Sequence, residues 1–359
     1  MKRRIILLIL INLMVLFSAC EKTIEFNGTD TDPKIVVNGL VTPGNPIEIT
    51  LTKSQSFLSE QYNESLSNAE VNLYIDDVFA EKLTLYISRD STVYGTAINE
   101  NMIYRSQAVA ESGKTYRLEV SSPGLPPVSC QTTVPDPVNL QQVDTATEIV
   151  REEWGERQFL VVKLKFVDEA KSKDYYRIQL DESSGYNLSS YDTVSHTFEY
   201  SDTVIVSTQV SMNFDKYDPI FEGNDKADDL ISGTPDNQFA IFDDSGIHGT
   251  EYTLQLKLNT YPWYSEEGSG NFIEKKILFY RITSEYYEYL KSANSHFWYA
   301  DDYFSEPVPV YSNVKGGLGI FGSATPIIHT IVDGEYPLNN KVYINQNDYY
   351  NYGGYTSYN

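Results

Sequence analysis

Basic side chains are scarce in this chain. Against 50 Asp and Glu there are 27 Lys and Arg, a formal net charge of −23 over 359 residues. A surface of that sign repels phosphates, so no nucleic acid is expected as a partner. Cysteine stops at two and histidine at four, too few for a disulfide framework or a rich metal cluster. No metal ligand set and no cofactor are assigned from the sequence; calcium held by acidic loops is the alternative for the paired carboxylates. Apolar runs of about 18 residues, the length read as a membrane-spanning helix, are missing too. Neither the G-x-S-x-G elbow nor the H-E-x-x-H pair is present, so no catalytic residues are assigned.

Several patterns that are present carry less chemistry than they suggest. Gly317-Leu318-Gly319-Ile320-Phe321-Gly322 matches G-x-G-x-x-G, but Pro326 follows where a helix should start and the acids Asp333 and Glu335 come too early for a ribose contact. The expected role is a strand that bends where another backbone comes close. Asn224, Asp225, Asp228 and Asp229 lack the glycine and closing glutamate of an EF-hand loop. His248, flanked by Gly246 and Gly249 and near Asp243 and Asp244, reads as an exposed hairpin tip, with metal binding or a role as a base the alternative reading of the grouping.

The first twenty residues are informative. Lys2, Arg3 and Arg4 precede an uncharged, largely apolar stretch from Ile5 to Phe17, then Ser18-Ala19-Cys20. That is a signal peptide with a cysteine directly after the small pair, as in a bacterial lipobox. Phe17 stands where a branched aliphatic residue is usual. The expected outcome is cleavage before Cys20, lipidation of its sulfur and acylation of the new amine, fixing the chain to a lipid bilayer. Residues 1–19 are then the signal peptide and 20–32 a polar tether. Glu21, rather than Asp, after the cysteine fits an outer-membrane destination by similarity to lipoprotein sorting signals. Periplasmic and cell-surface orientations both stay open.

From Pro33 onward, apolar residues alternate with polar ones. Ile47/Ile49/Leu51, Val71/Leu73/Ile75, Tyr116/Leu118/Val120 and Val128/Cys130 each fall on one parity, with turns such as Asp76-Asp77 between runs. Period-two alternation in short strands predicts an immunoglobulin-like β-sandwich over residues 33–135. Pro135-Asp136-Pro137 is a stiff break. Alternation resumes with Leu160/Val162/Leu164/Phe166, Tyr176/Ile178/Leu180, Leu254/Leu256/Leu258 and Ile277/Phe279. This predicts a larger, second β domain over residues 136–340. The fold class is therefore mainly β.

One segment changes period. Tyr286, Leu290, Ala293, Phe297 and Ala300 are spaced by four, three, four and three, one face of an amphipathic helix near residues 284–300 with Ser284 as its cap. Phe297 and Trp298 are read as core. Residues 341–359, rich in Tyr and Asn, read as a flexible tail. Tyr261, Trp263 and Tyr264 sit in a loop-like stretch before Glu266 and Glu267. Flat rings beside carboxylates suit a sugar, a peptide or a protein partner, so these three are the candidate contact residues.

Ile35-Val36-Val37-Asn38-Gly39, Ile241-Phe242-Asp243-Asp244 with Gly249-Thr250-Glu251-Tyr252, and above all Asn313-Val314-Lys315-Gly316-Gly317-Leu318-Gly319-Ile320-Phe321-Gly322 resemble domain-of-unknown-function family 4249. Its members are lipoproteins of Bacteroidota-type bacteria. The resemblance implies no catalytic residues. Members are often encoded beside a TonB-dependent outer-membrane transporter, which implies a non-enzymatic binding or accessory role in nutrient uptake. The alternatives are a stand-alone glycan- or peptide-binding surface lipoprotein and, third, a hydrolase with a scattered site.

Overall fold

The computed structural model describes residues 32–55, 64–91, 98–152, 155–192, 194–195, 197–211, 214–215, 218–221, 236–259, 271–299, 308–332 and 340–345. Cys20 and the candidate contact residues Tyr261, Trp263 and Tyr264 lie outside them.

The expected alternation becomes strands. The first half contributes β1 (Ile35–Val41), β2 (Pro46–Lys53), β3 (Glu70–Ile75), β4 (Val78–Lys82), β5 (Thr84–Ser91), β6 (Ile98–Val109), β7 (Thr115–Ser122) and β8 (Leu125–Thr133). The second half contributes β9 (Asn139–Glu152), β10 (Gly155–Val167), β11 (Tyr175–Asp192), β12 (Thr197–Ser211), β13 (Phe214–Asp215), β14 (Ile241–Asp243), β15 (Glu251–Asn259), β16 (Asn271–Ile282), β17 (Leu318–Val332) and β18 (Asn340–Asn345), with one α-helix, α1 (Ser284–Tyr299). The protein is mainly β, as the periodicity predicts.

Three sheets form two sandwich-like layers of core. A four-stranded sheet in the order β4-β3-β7-β8 shares one buried cluster with β1, β2 and β6. Ile35, Val37, Ile47, Ile49 and Leu51 meet Val71, Leu73, Leu118 and Val120 there. A second four-stranded sheet, β13-β15-β10-β9, shares its core with β11 and β16. At its centre the Phe166 ring lies 5.0 Å from Phe279 and 5.5 Å from Tyr176, both edge-on, an arrangement that adds to plain burial.

The third sheet joins the two halves. Its order is β18-β12-β11-β16-β17-β1-β2-β6-β5, with β14 beside β11. The join is β17 lying parallel to β1, Val36 opposite Leu318 through Val41 opposite Ser323. The chain thus returns from its second half to complete the first, and Val314 and Phe321 enter the first core cluster. From Pro33 onward the described residues belong to one compact unit. The break at Pro135–Pro137 separates the two cores, while the sheet runs across both.

The glycine-rich block is where this join is made. A Cβ on Gly319 would fall 2.1 Å from the Val37 carbonyl oxygen, and the residue holds φ +99, a region closed to side chains. From Leu318 on, the G-x-G-x-x-G string is therefore strand, with more strand after it.

Helix α1 packs on the outside of the join. Tyr286 and Leu290 share a small core with Ile282, Ile320 and Ala324. The expected stripe ends early. Ala293 and Asn294 are its last buried residues, and Asn294 accepts from the Gln238 N–H at 3.2 Å. Phe297 and Trp298, read as core, are exposed by 59 % and 42 %, because the last turn has no apolar partner in that cluster. Residues 341–345 of the Tyr/Asn-rich tail are strand, in β18, parallel to β12. No helix among the described residues is long and apolar enough to cross a membrane.

Candidate functional site

The segment leading into β17 carries more than the strand join. Asn313 donates from Nδ2 to the carbonyls of Phe321, at 2.8 Å, and Gln131, at 3.3 Å, and accepts the Phe321 N–H at 3.0 Å. One side chain thus stitches the incoming loop to β17 and to edge strand β8. Lys315 adds two backbone hydrogen bonds with Ser129. Upstream, Tyr311 N–H donates to Ser292 Oγ at 2.8 Å, and the Val308 carbonyl sits 2.8 Å from His296 Nδ1. Residues 308–317 are therefore strapped between helix α1 and β8.

An open groove of about 430 Å³ runs beside this strap. Arg117, Ser129, Gln131, Glu285, Tyr311 and Lys315 are among its walls. Arg117 lies 3.9 Å over the Tyr74 ring and pairs with Glu119 and Asp77. The Tyr74 hydroxyl donates to Glu119 at 2.9 Å, and this bond, with Arg117, holds the Glu119 carboxyl below its ordinary pKa. Burial, and then the nearby Glu285 and Glu288 carboxylates, raise the Tyr311 hydroxyl pKa. Cys130 also borders the groove, but burial pushes its thiol up to about 12. It is a thiol, not a thiolate, at neutral pH, and is no nucleophile. On and next to the strap, Phe297, Trp298, Val310 and Tyr311 are exposed by 38 % or more. Of these only Tyr311 lines the groove; exposed aromatic residues of this kind are enriched at contact surfaces.

Sequence reasoning picked out the Asn313–Gly322 block but read Phe297 and Trp298 as core, and it did not find the groove. The groove needs Arg117 and Ser129, distant in the chain, and no local spacing signals them. His248 is half exposed, as a hairpin tip should be, but it does not stand alone. Its Nδ1 is 2.8 Å from the buried Asp244 carboxylate and 3.9 Å from the buried Asp168 carboxylate. Asp168, far away in sequence, carried no signal of its own.

The family described as "Domain of unknown function (DUF4249)" matches residues 21–326, and the chain belongs to that family. The match takes in both sandwich cores, helix α1 and the join between β1 and β17. No curated protein matches the chain.

Proposed function

We propose, from this family membership and the signal-peptide pattern, that the chain is an outer-membrane lipoprotein held by acylated Cys20. It acts as a non-enzymatic binding or accessory component of a TonB-dependent transporter. The observation that carries the reading is the exposed Phe297–Trp298 pair at the end of α1, directly after His296, whose ring meets the Val308 carbonyl of the strap that leads into β17. Large apolar rings left in water at an ordered helix end cost solvation that a partner surface recovers. The strap is held at both ends by hydrogen bonds, so this face is offered pre-formed and loses little ordering entropy on docking.

The test is affinity purification of the lipidated chain from native outer membranes. A transporter should co-purify, and Phe297→Ala with Trp298→Ala should release it while leaving the chain folded and membrane-bound. Recovery of the chain with no transporter overturns the proposal.

A second reading rests on the groove itself. About 430 Å³ falls in the range of small-ligand sites, and its walls mix hydrogen-bonding side chains with a tyrosine, as a glycan or short peptide requires. Glycan-array or peptide binding that survives removal of the transporter and is lost in Tyr311→Ala favours this reading over the first.

A further inference from the structure

The second sandwich has a cluster of charge at the end where the β10–β11 and β14–β15 connections meet. Asp168 follows β10; Asp244 opens a 3-10 turn after β14; His248 lies four residues on. The turn is tightly laced. The Asp244 carbonyl accepts from Ile247 N–H at 2.9 Å, the Ile247 carbonyl from Thr250 N–H at 2.9 Å, and Asp244 N–H donates to the Asp174 carbonyl at 3.1 Å. Gly249 is locked at φ +68, where a Cβ would fall 2.7 Å from the Ala170 Cβ. The three side chains are held by the fold, not by a flexible loop.

The carboxylates are buried and oriented from behind. Both Asp168 and Asp244 are 2 % exposed. The Tyr176 hydroxyl donates to Asp168 Oδ1 at 2.5 Å and the Gly249 N–H to Oδ2 at 2.8 Å. These bonds fix the plane of the carboxylate and leave each oxygen a further lone pair. The charge around them does not balance. Arg281 pairs with Asp174, and Lys173 with Asp243 at 3.1 Å. Among the described residues, the only cation-forming side chain within 4 Å of Asp168 or Asp244 is His248. Two buried carboxylates close together, facing one imidazole, are short of positive charge.

One ligand atom from each of the three lies within 4.8 Å of the others. Two bonds of about 2.0–2.1 Å at a tetrahedral centre set donor atoms roughly 3.3 Å apart. The observed separations from Nδ1, 2.8 and 3.9 Å, lie on either side of that. The two carboxylate oxygens lie within 4.8 Å of each other, so binding one ion would draw them together by up to about 1.5 Å. A nitrogen and two carboxylates suit zinc-type cations; calcium, which takes six or more oxygens, is poorly served. Because His248 is half exposed, the site opens to water, which would fill a fourth position.

We propose that Asp168, Asp244 and His248 form a site for one divalent cation of the zinc class, at the turn end of the second sandwich. The site stands apart from the groove and from the transporter reading. It pins the 244–250 turn to the start of the β10–β11 connection.

The experiment uses the full chain, stripped with EDTA, in detergent at pH 7.5, with zinc chloride as the probe. Calorimetry should give one equivalent bound. The four histidine rings can be followed individually by carbon-13 NMR without any substitution, and the His248 ring should move on zinc addition. His248→Gln should weaken binding by at least about tenfold, while His296→Gln, outside the cluster, keeps it. No saturable binding up to millimolar zinc overturns the proposal. So does saturable binding in which another imidazole moves and His248 stays in place.

Discussion

The Thr325 hydroxyl donates to the carbonyl oxygen of Pro135 at 2.6 Å. Thr325 is on β17, and Pro135 opens the stiff break between the two cores. Two residues earlier Ser323, wholly buried, donates to the Thr133 carbonyl at 2.9 Å and accepts from Thr132 Oγ1 at 3.1 Å. The return strand therefore grips the segment that a sequence reader would take for a hinge. Thr325→Val keeps the shape and removes the donor to the half-buried Pro135 carbonyl. The expected loss is about 0.5–1.5 kcal/mol of stability, read as a lowered urea midpoint with unchanged slope. An unchanged midpoint would mean that water replaces the bond at no cost.

The same grip predicts that the halves do not fold apart. A fragment of residues 33–136 keeps its own alternating strands, but loses Val314 and Phe321 from its core. It also exposes the edge of β1 that β17 covers. A missing large core residue alone costs about 3–5 kcal/mol, much of the stability of a small domain, and the bared edge invites association. The fragment should be unfolded or aggregated by circular dichroism and sedimentation, whereas the full chain unfolds in one transition. A soluble monomeric fragment with native-like strand content would contradict this.

Much of the layout is legible from local pattern. Ile47, Ile49 and Leu51 alternate in the sequence and are all buried in β2; Tyr286 and Leu290 keep the helical spacing and are buried in α1. Local pattern fails where the partner is remote. Nothing near Gly319 says that its neighbour is Val37, and nothing near His248 says that it faces Asp168. Nor does spacing separate Leu290, which meets Ile320, from Phe297, which continues the same stripe into solvent. Helical period tells which face a residue is on; it does not tell how far the surface beneath extends.

The groove wall has a pH dependence whose sign follows from Glu119. Its carboxylate accepts from the Tyr74 hydroxyl and from Arg117, and its pKa is lowered from the usual 4.5. A carboxyl with a depressed native pKa adds stability that is fully present above its unfolded pKa and is lost as pH falls through the native one. The difference in urea midpoint between the natural chain and Glu119→Gln should be largest near pH 7 and should shrink below about pH 4.5. A difference that stays constant down to pH 3 would show that Glu119 contributes by packing alone.

Cys130 gives the sharpest chemical test of the binding-protein reading, because it is the one thiol at the groove. It sits among β7 and β17 residues in the first core, and burial pushes its thiol up to about 12, so almost none of it is ionised at pH 8. Reaction with iodoacetamide goes through the thiolate. Alkylation of the native chain should therefore be far slower than that of the unfolded chain in urea, by mass spectrometry at pH 8. Cys130→Ala should leave partner recovery unchanged while lowering the urea midpoint, since the sulfur fills space in the core rather than touching a ligand. Native labelling at the rate of a free thiol would instead place an accessible nucleophile in the groove and return a covalent mechanism to consideration.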